Sequence, residues 1–171
     1  MNWNNIKNLS GLQFERWSAG DKYQGESAEI SAEMGAKNLG FHVEILSPGM
    51  FSCPYHFHRH EEELFIVLDG KAMLRQNNQY REVTSGDIIH FGLSEENAHQ
   101  FYNHTHKDFK FFALSANDEN DIVEYPDSDK IYIRKQKKMF QHKNEVHYLT
   151  DEEEPEKYWD KKYLSQDSMD K

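Results

Sequence analysis

The chain has 171 residues, a formal net charge of -10 and an aromatic content of 13%. This length suits a single domain with a sizeable core. The negative charge argues against nucleic acid as a partner, because phosphate groups require a basic protein face. An anionic membrane surface is disfavoured for the same reason.

Cys53 is the only cysteine, so no internal disulfide can form. The first ten residues lack the basic and then apolar pattern of a signal peptide. The apolar run at residues 64–68 is far shorter than the roughly 20 residues that cross a bilayer. We therefore expect a cytoplasmic protein without a transmembrane segment, in which Cys53 is a buried, inert thiol that packs as a small hydrophobe.

The middle of the chain predicts short strands separated by Gly, Asn and Asp turns. Alternating apolar residues predict a first strand over 41–46, which a turn at 47–49 ends. The other strands predicted for this region are 51–58, 63–68, 71–75, 88–91, 98–103 and 109–115. Because no long helix is predicted between them, these strands indicate an all-β antiparallel sandwich or barrel.

The two ends of the chain differ from this region in composition. Residues 1–37 mix aromatic residues with polar turns and are predicted to form an arm that packs on the barrel. Residues 38–117 are the predicted barrel core. Residues 118–171 are predicted to add one strand around 131–133, followed by a charged tail. We expect one domain in all.

Four side chains in the central region are of types that commonly bind metals: His56, His58, Glu63 and His99. Side chains on a strand alternate faces, so His56 and His58 point the same way, about 6.6 Å apart along the strand. A turn lets Glu63 approach from the next strand, and His99 comes from a distant one. Three imidazoles and one carboxylate can close around one divalent metal ion.

The other histidines of this region lack the same support. His60 lies in a turn, and His104 and His106 lie beside charged residues, so we expect exposed side chains at all three positions. His90 lies in an apolar strand, where it is either a core histidine or a hydrogen-bond partner of a ligand. We favour the core position.

The segments HFHRHEEELFIVLDG and GDIIHFGLSEENAHQFYN resemble the two sequence motifs of the cupin superfamily. The positions of the first motif are occupied by Gly49, His56, His58, Glu63 and Gly70, and Gly86, His99 and Asn103 fit the second. Glu63 is preferred over Glu61 and Glu62 because only Glu63 lies six intervening residues before Gly70. In many cupins the matching three histidines and glutamate bind a metal.

The resemblance covers roughly residues 38–117 and implies a double-stranded antiparallel β-helix, the jelly-roll barrel of cupins. The rest of the chain is similar to uncharacterised single-domain bacterial cupins, which brings no substrate. Because cupins commonly dimerise, a homodimer is expected. An apolar outer face of Leu64, Ile66 and Leu68 is compatible with an added sheet layer.

The sequence departs from the cupin motifs in two places. Gly49 lies six intervening residues before His56 where the usual gap is five. Gly92-Leu93-Ser94 replaces the usual Pro-x-Gly turn, and residues 95–97 lengthen the loop before His99. Since this loop borders the pocket in cupins, no substrate preference carries over from any subgroup.

The ligand set suits Zn, Fe, Mn, Ni, Co or Cu, and the order of affinities does not select among them. Three histidines and one glutamate leave two open positions on an octahedral ion. We therefore expect a metal-dependent enzyme that acts on a neutral or weakly charged small organic molecule, of dioxygenase, decarboxylase or isomerase type. No catalytic acid or base is identified.

The alternative is a non-catalytic module that binds a sugar or another small metabolite through the metal. A sugar-phosphate isomerase is a third hypothesis, and it requires basic residues that face inward. Lys71, Arg75 and Arg81 lie on strands whose facing the sequence does not fix.

Overall fold

The computed structural model describes residues 3–148, 150, 152 and 154–158. One compact unit ends at Gln141 and a second begins at His142. The described part of the second unit contains the 3-10 turns His142–Asn144 and Pro155–Tyr158. The end of the predicted charged tail, residues 159–171, lies outside the described residues. No helix in the described part of the chain is long and apolar enough to cross a membrane.

The first unit is built from antiparallel strands joined by turns and short 3-10 helices. The strands are β1 (Glu15–Ser18), β2 (Gln24–Glu29), β3 (Gly40–Leu46), β4 (Phe57–His58), β5 (Glu63–Asp69), β6 (Lys71–Gln76), β7 (Gln79–Thr84), β8 (Ile88–Phe91), β9 (His99–Tyr102), β10 (Phe109–Ser115), β11 (Ile122–Tyr125), β12 (Lys130–Ile133) and β13 (Lys138–Gln141).

These strands form three sheets whose order differs from the order in the chain. The largest sheet runs β1-β2-β3-β10-β5-β8, the second β13-β12-β11-β4 and the third β7-β6-β9. Neighbouring strands in each sheet pair in the antiparallel sense. The all-β antiparallel jelly-roll architecture predicted from the sequence is therefore confirmed.

Alternate residues of β5 and β10 point into a core that is rich in phenylalanine. Phe65 lies 5.4 Å from Phe101 and 5.6 Å from Phe111, measured between ring centroids. Val67 and Leu46 belong to the same buried cluster. Polar side chains at the edge of this cluster are therefore surrounded by packed aromatic rings and are shielded from bulk water.

The predicted strand over 51–58 is mostly absent. Only β4 is a regular strand there, and Phe51 and His56 form isolated bridges. The segment between them bends at Pro54, which has no backbone N–H to donate to a neighbouring strand. Regular strand pairing therefore resumes only at His56.

Both ends of the chain add more strands than the sequence predicts. At the amino end, β2 pairs with β3 and extends the largest sheet. At the carboxyl end, where one strand is predicted, the structure contains β11, β12 and β13. β11 pairs with β4 and places Val123 opposite His58. The short histidine strand is thus held by residues from beyond the predicted barrel core.

Gly70 joins β5 to β6 with a φ of 79°, a backbone conformation that side chains with a Cβ rarely adopt. A Cβ at this position would also overlap the carbonyl oxygen of Asp108. The tight approach between this turn and the start of β10 therefore requires glycine.

Replacing Gly70 by alanine should lower the free energy of unfolding by roughly 1–3 kcal/mol, because backbone strain adds to the overlap with Asp108. Urea unfolding followed by tryptophan fluorescence measures this change. Gly11→Ala is the matched control, since a Cβ there meets open space, and its effect should stay within about 0.5 kcal/mol. Equal effects of the two substitutions would contradict the steric argument.

Candidate metal centre

His56 and His99 face each other across a backbone bridge. The His99 N–H donates to the His56 carbonyl at 2.8 Å, and the His56 N–H donates to the His99 carbonyl at 3.3 Å. Directly opposite residues of an antiparallel pair project their side chains to the same face, and the two ring centroids lie 4.8 Å apart. His58 follows two residues later with its ring 5.1 Å from that of His56. Three imidazoles therefore converge.

Glu63, the first residue of β5, brings a carboxylate to these rings. Its Oε2 lies 3.5 Å from His58 Nε2 and 3.3 Å from His99 Nε2. This oxygen is buried and has no hydrogen-bond partner among the described residues. His56, His58 and Glu63 offer ligand atoms that all lie within 4.8 Å of one another. The structure thus brings the four side chains singled out by the sequence into one cluster.

The three histidines use their Nδ1 atoms outside this cluster. Nδ1 of His56 lies 3.0 Å from the Pro54 carbonyl oxygen, and Nδ1 of His99 lies 3.1 Å from the Asn97 carbonyl oxygen. A carbonyl oxygen only accepts hydrogen bonds, so Nδ1 carries the proton and Nε2 keeps its lone pair. The ring nitrogens that face Glu63 are therefore in the form that binds a metal.

Burial favours the same uncharged form. His99 is 2% exposed, its ring stacks on Phe91 at 3.6 Å, and burial lowers its pKa well below the usual value, with a further decrease from His56. Burial also lowers the pKa of His56. Both imidazoles remain neutral at physiological pH, as metal binding requires.

Behind His58 lies a charged network that the sequence does not reveal. His58 Nδ1 donates to Asp121 Oδ2 at 2.6 Å, and Asp121 is fully buried. Arg134 holds both oxygens of Glu61 and lies 3.4 Å from Asp121 Oδ2. Burial by itself raises the pKa of Asp121, but the hydrogen bond from His58 and nearby positive charge outweigh it. The Asp121 carboxylate therefore stays ionised and orients the His58 ring.

His58, Glu61 and Asp121 form a second group whose ligand atoms lie within 4.8 Å of one another. In this group the carboxylates are already compensated by the Arg134 guanidinium and by His58 Nδ1–H. Glu63 Oε2, by contrast, has no such partner among the described residues. The cluster around Glu63 is therefore the better candidate for a cation, and the second group orients one of its ligands.

The lengthened turn before His99 helps to hold that histidine. Residues Glu95–Asn97 form a 3-10 turn, and the Asn97 side-chain N–H donates to Ser94 Oγ at 2.9 Å. The carbonyl of the same Asn97 accepts the hydrogen bond from His99 Nδ1. The lengthened turn thus supplies the hydrogen-bond acceptor for Nδ1 of His99, whose ring lies in the cluster.

The remaining histidines lie outside the cluster. His60, His104 and His106 are exposed, as predicted; His60 Nδ1 contacts the Asn120 carbonyl oxygen and His104 Nε2 contacts Glu82. The prediction of a core position for His90 was wrong. Its side chain is 58% exposed, because alternation along β8 turns Phe91 inward and His90 outward.

Cys53 lies beside the cluster, with its Sγ 3.5 Å from His56 Nδ1. The regular alternation of a strand would place it on the opposite face from His56, but the bend at Pro54 turns the thiol toward the ring. Burial raises the pKa of Cys53 to about 12. The thiol is therefore protonated at neutral pH, which is the state of an inert cysteine.

Asn103, at the end of the second motif, has a structural role. It is fully buried, and its amide N–H groups donate to the carbonyl oxygens of Leu46 and Lys107, both at 2.8 Å. Its carbonyl oxygen accepts from the backbone and hydroxyl of Thr105. Asn103 ties the end of β3 to the loop before β10.

Comparisons with known proteins agree with this architecture. The structure is similar to a candidate sugar phosphate isomerase from Acidithiobacillus ferrooxidans ATCC 23270, with a TM-score of 0.75, 21% identity, and coverage of 84% of this chain and 96% of that one. A sugar phosphate isomerase of the cupin superfamily from Silicibacter pomeroyi DSS-3 gives a TM-score of 0.71 at 18% identity, with coverage of 84% and 96%.

A predicted oxalate decarboxylase from Thermotoga maritima gives a TM-score of 0.55 at 23% identity. The alignment covers 65% of this chain and 97% of the decarboxylase chain. At these identities the similarities establish the fold alone. No curated protein matches the chain. The family model of the cupin domain matches residues 42–115, the segment that carries both motifs and all four clustered side chains. Residues 42–115 therefore match the cupin domain, and the fold is the one that these cupin structures share.

Proposed function

We propose that His56, His58, Glu63 and His99 bind one divalent metal ion. The observation that carries this proposal is the buried Glu63 Oε2, which has no hydrogen-bond partner among the described residues and faces Nε2 of both His58 and His99. An unpartnered buried carboxylate is costly. A cation shared with the neighbouring lone pairs removes that cost, so the donor set fits the metal that the family resemblance implies.

When bound, the ion would supply a Lewis-acid or redox centre, and Zn, Fe, Mn, Ni, Co and Cu all suit these ligands. The protein orients the ligands and keeps water away from them. Asp121 fixes the His58 ring, Asn97 fixes the His99 ring, and Phe91 covers one face of His99. Such outer partners commonly tune a metal site by 10–100-fold in affinity, an order-of-magnitude figure from other metalloproteins.

The function that this site supports best is a metal-dependent cupin enzyme acting on a neutral or weakly charged small organic molecule. A phosphorylated sugar is less favoured, although two similar structures are assigned as sugar phosphate isomerases. A sugar-phosphate isomerase requires basic residues that face inward, and the three candidates from the sequence do not meet this requirement. Lys71 pairs with Glu82 at 3.1 Å, and Arg75 pairs with Asp127. Arg81 is exposed.

Turnover separates this proposal from a non-catalytic binding module. Metal-loaded protein is incubated with a panel of keto acids, diols and sugars while O₂ consumption and product formation are followed. An enzyme converts at least one member of the panel. A rise in melting temperature with one compound, without any conversion, would favour the binding module.

Replacing His99 by alanine should reduce metal affinity by more than about 100-fold, because loss of a direct ligand exceeds the cost of losing an outer partner. The melting-temperature increase on metal addition should disappear with it. Elemental analysis and metal titration measure both effects. His60→Ala, which removes an exposed imidazole, is the control and should retain the metal. Unchanged metal content in the His99 variant would contradict the ligand assignment.

Asp121→Asn should reduce metal affinity by about 10–100-fold, less than the loss of a ligand, because the amide preserves shape but removes the charge that orients His58. Glu119→Gln is the matched control, since Glu119 is exposed and pairs only loosely with Lys135 at 3.6 Å.

The same pair of variants separates the two candidate clusters. If the metal bound instead to His58, Glu61 and Asp121, the Asp121 variant would lose the metal completely and the His99 variant would keep it. Metal titration of both proteins in one experiment gives the answer.

A further inference from the structure

A second polar pair lies on the inner wall of the barrel and is not used by the proposed metal ligands. His42, Glu44 and Leu46 occupy every second position of β3, and Leu46 belongs to the buried core cluster. Because residues two apart on a strand share a face, His42 and Glu44 face the interior together with Leu46. A carboxylate in such a position needs an explanation.

Glu44 is nearly buried and incompletely partnered. Its side chain is 13% exposed, and its Oε2 lies 3.6 Å from His42 Nε2, beyond good hydrogen-bond distance. Its Oε1 is buried and has no hydrogen-bond partner among the described residues. Burial raises the pKa of Glu44, and His42 partly offsets this. A carboxylate that stabilised only the fold would be expected to have both oxygens satisfied.

The strand register places this pair on the same face as Glu63. In the largest sheet His42 lies opposite Ala113 on β10, and Ala113 lies opposite Phe65 on β5, two residues from Glu63. The intervening Ala113 has a small side chain. A small side chain therefore lies between the Glu44 pair and Glu63 on this face of the sheet.

We propose that Glu44 binds the small molecule held at the metal, its free oxygen accepting a hydrogen bond from a hydroxyl group of that molecule. This inference rests on the proposed metal site and specifies its substrate class. The molecule carries one oxygen that reaches the metal and a nearby hydroxyl that reaches Glu44, as in a hydroxy ketone or a vicinal diol. It is uncharged, because Glu63 repels an anion and the His42 imidazole already faces the Glu44 carboxylate.

The test uses Co²⁺-loaded protein, whose visible absorption reports a change at the ion. Hydroxyacetone and acetone are the probes, since they share the carbonyl and differ in the hydroxyl. The native protein should bind hydroxyacetone more tightly than acetone. In Glu44→Gln and in Glu44→Leu the hydroxyacetone affinity should fall by about tenfold or more, the loss of a charge-assisted hydrogen bond. Acetone binding and Co²⁺ affinity should not change.

Glu29→Gln is the matched control. Glu29 is an exposed carboxylate opposite His42 on β2, and its charge acts on both His42 and Glu44. This variant removes the same charge from the same neighbourhood and should keep the preference for hydroxyacetone.

Thermal unfolding without metal provides an independent readout. Both Glu44 variants should melt at or above the temperature of the native protein, because they remove an unpartnered buried carboxylate. A decrease of several degrees would assign Glu44 a structural role and overturn the inference.

The outcomes separate this inference from the metal proposal. Failure of the native protein to bind Co²⁺ overturns the metal site and, with it, the role of Glu44. If Co²⁺ binds but the native protein does not prefer hydroxyacetone, or the Glu44 variants retain that preference, the inference is overturned while the metal site stands. Loss of Co²⁺ from the Glu44 variants would overturn it as well, because Glu44 would then support the metal and not the ligand.

Discussion

The backbone bridge between His56 and His99 determines where the candidate site lies. The two residues are 43 positions apart in the sequence, and their reciprocal N–H to carbonyl bonds place both imidazoles on one face. His58 then follows by alternation, and Glu63 enters from the start of β5. The meeting of His56 and His99 depends on this register, since a slip by a single residue would turn one histidine away from the cluster.

A network of buried charged side chains connects the histidine strand β4 to the carboxyl-terminal strands. Asp121 holds His58, and Arg134 holds Asp121 and Glu61. β11 reinforces the connection because it pairs with the short strand β4. The segment after the matched cupin domain is therefore part of the site's support, and a metal that binds the four side chains also stabilises these contacts.

The charge distribution around the cluster limits what the site can accept. Glu63 and Glu44 both present buried oxygens without hydrogen-bond partners among the described residues. Arg134 and Arg75 are compensated by carboxylates. On the proposed assignments a cation would satisfy the Glu63 oxygen and a neutral hydroxylated molecule the Glu44 oxygen, and neither arginine offers a free guanidinium to an anion. The proposed site would thus take a metal together with an uncharged ligand.

The resemblance of the two motifs to those of cupins predicts the antiparallel fold and the convergence of four side chains, His56, His58, Glu63 and His99. Local strand alternation by itself predicts only that His56 and His58 share a face. The tertiary structure alone decides the positions of Asp121, Arg134 and Glu44. Asp121 lies 63 residues from His58, so no spacing rule relates the two. The wrong prediction for His90 has a related cause, since the face that a short strand buries depends on which distant strand covers it. Local periodicity therefore determines which neighbouring side chains share a face, and long-range pairing determines which distant side chains, hydrogen bonds and charges surround them.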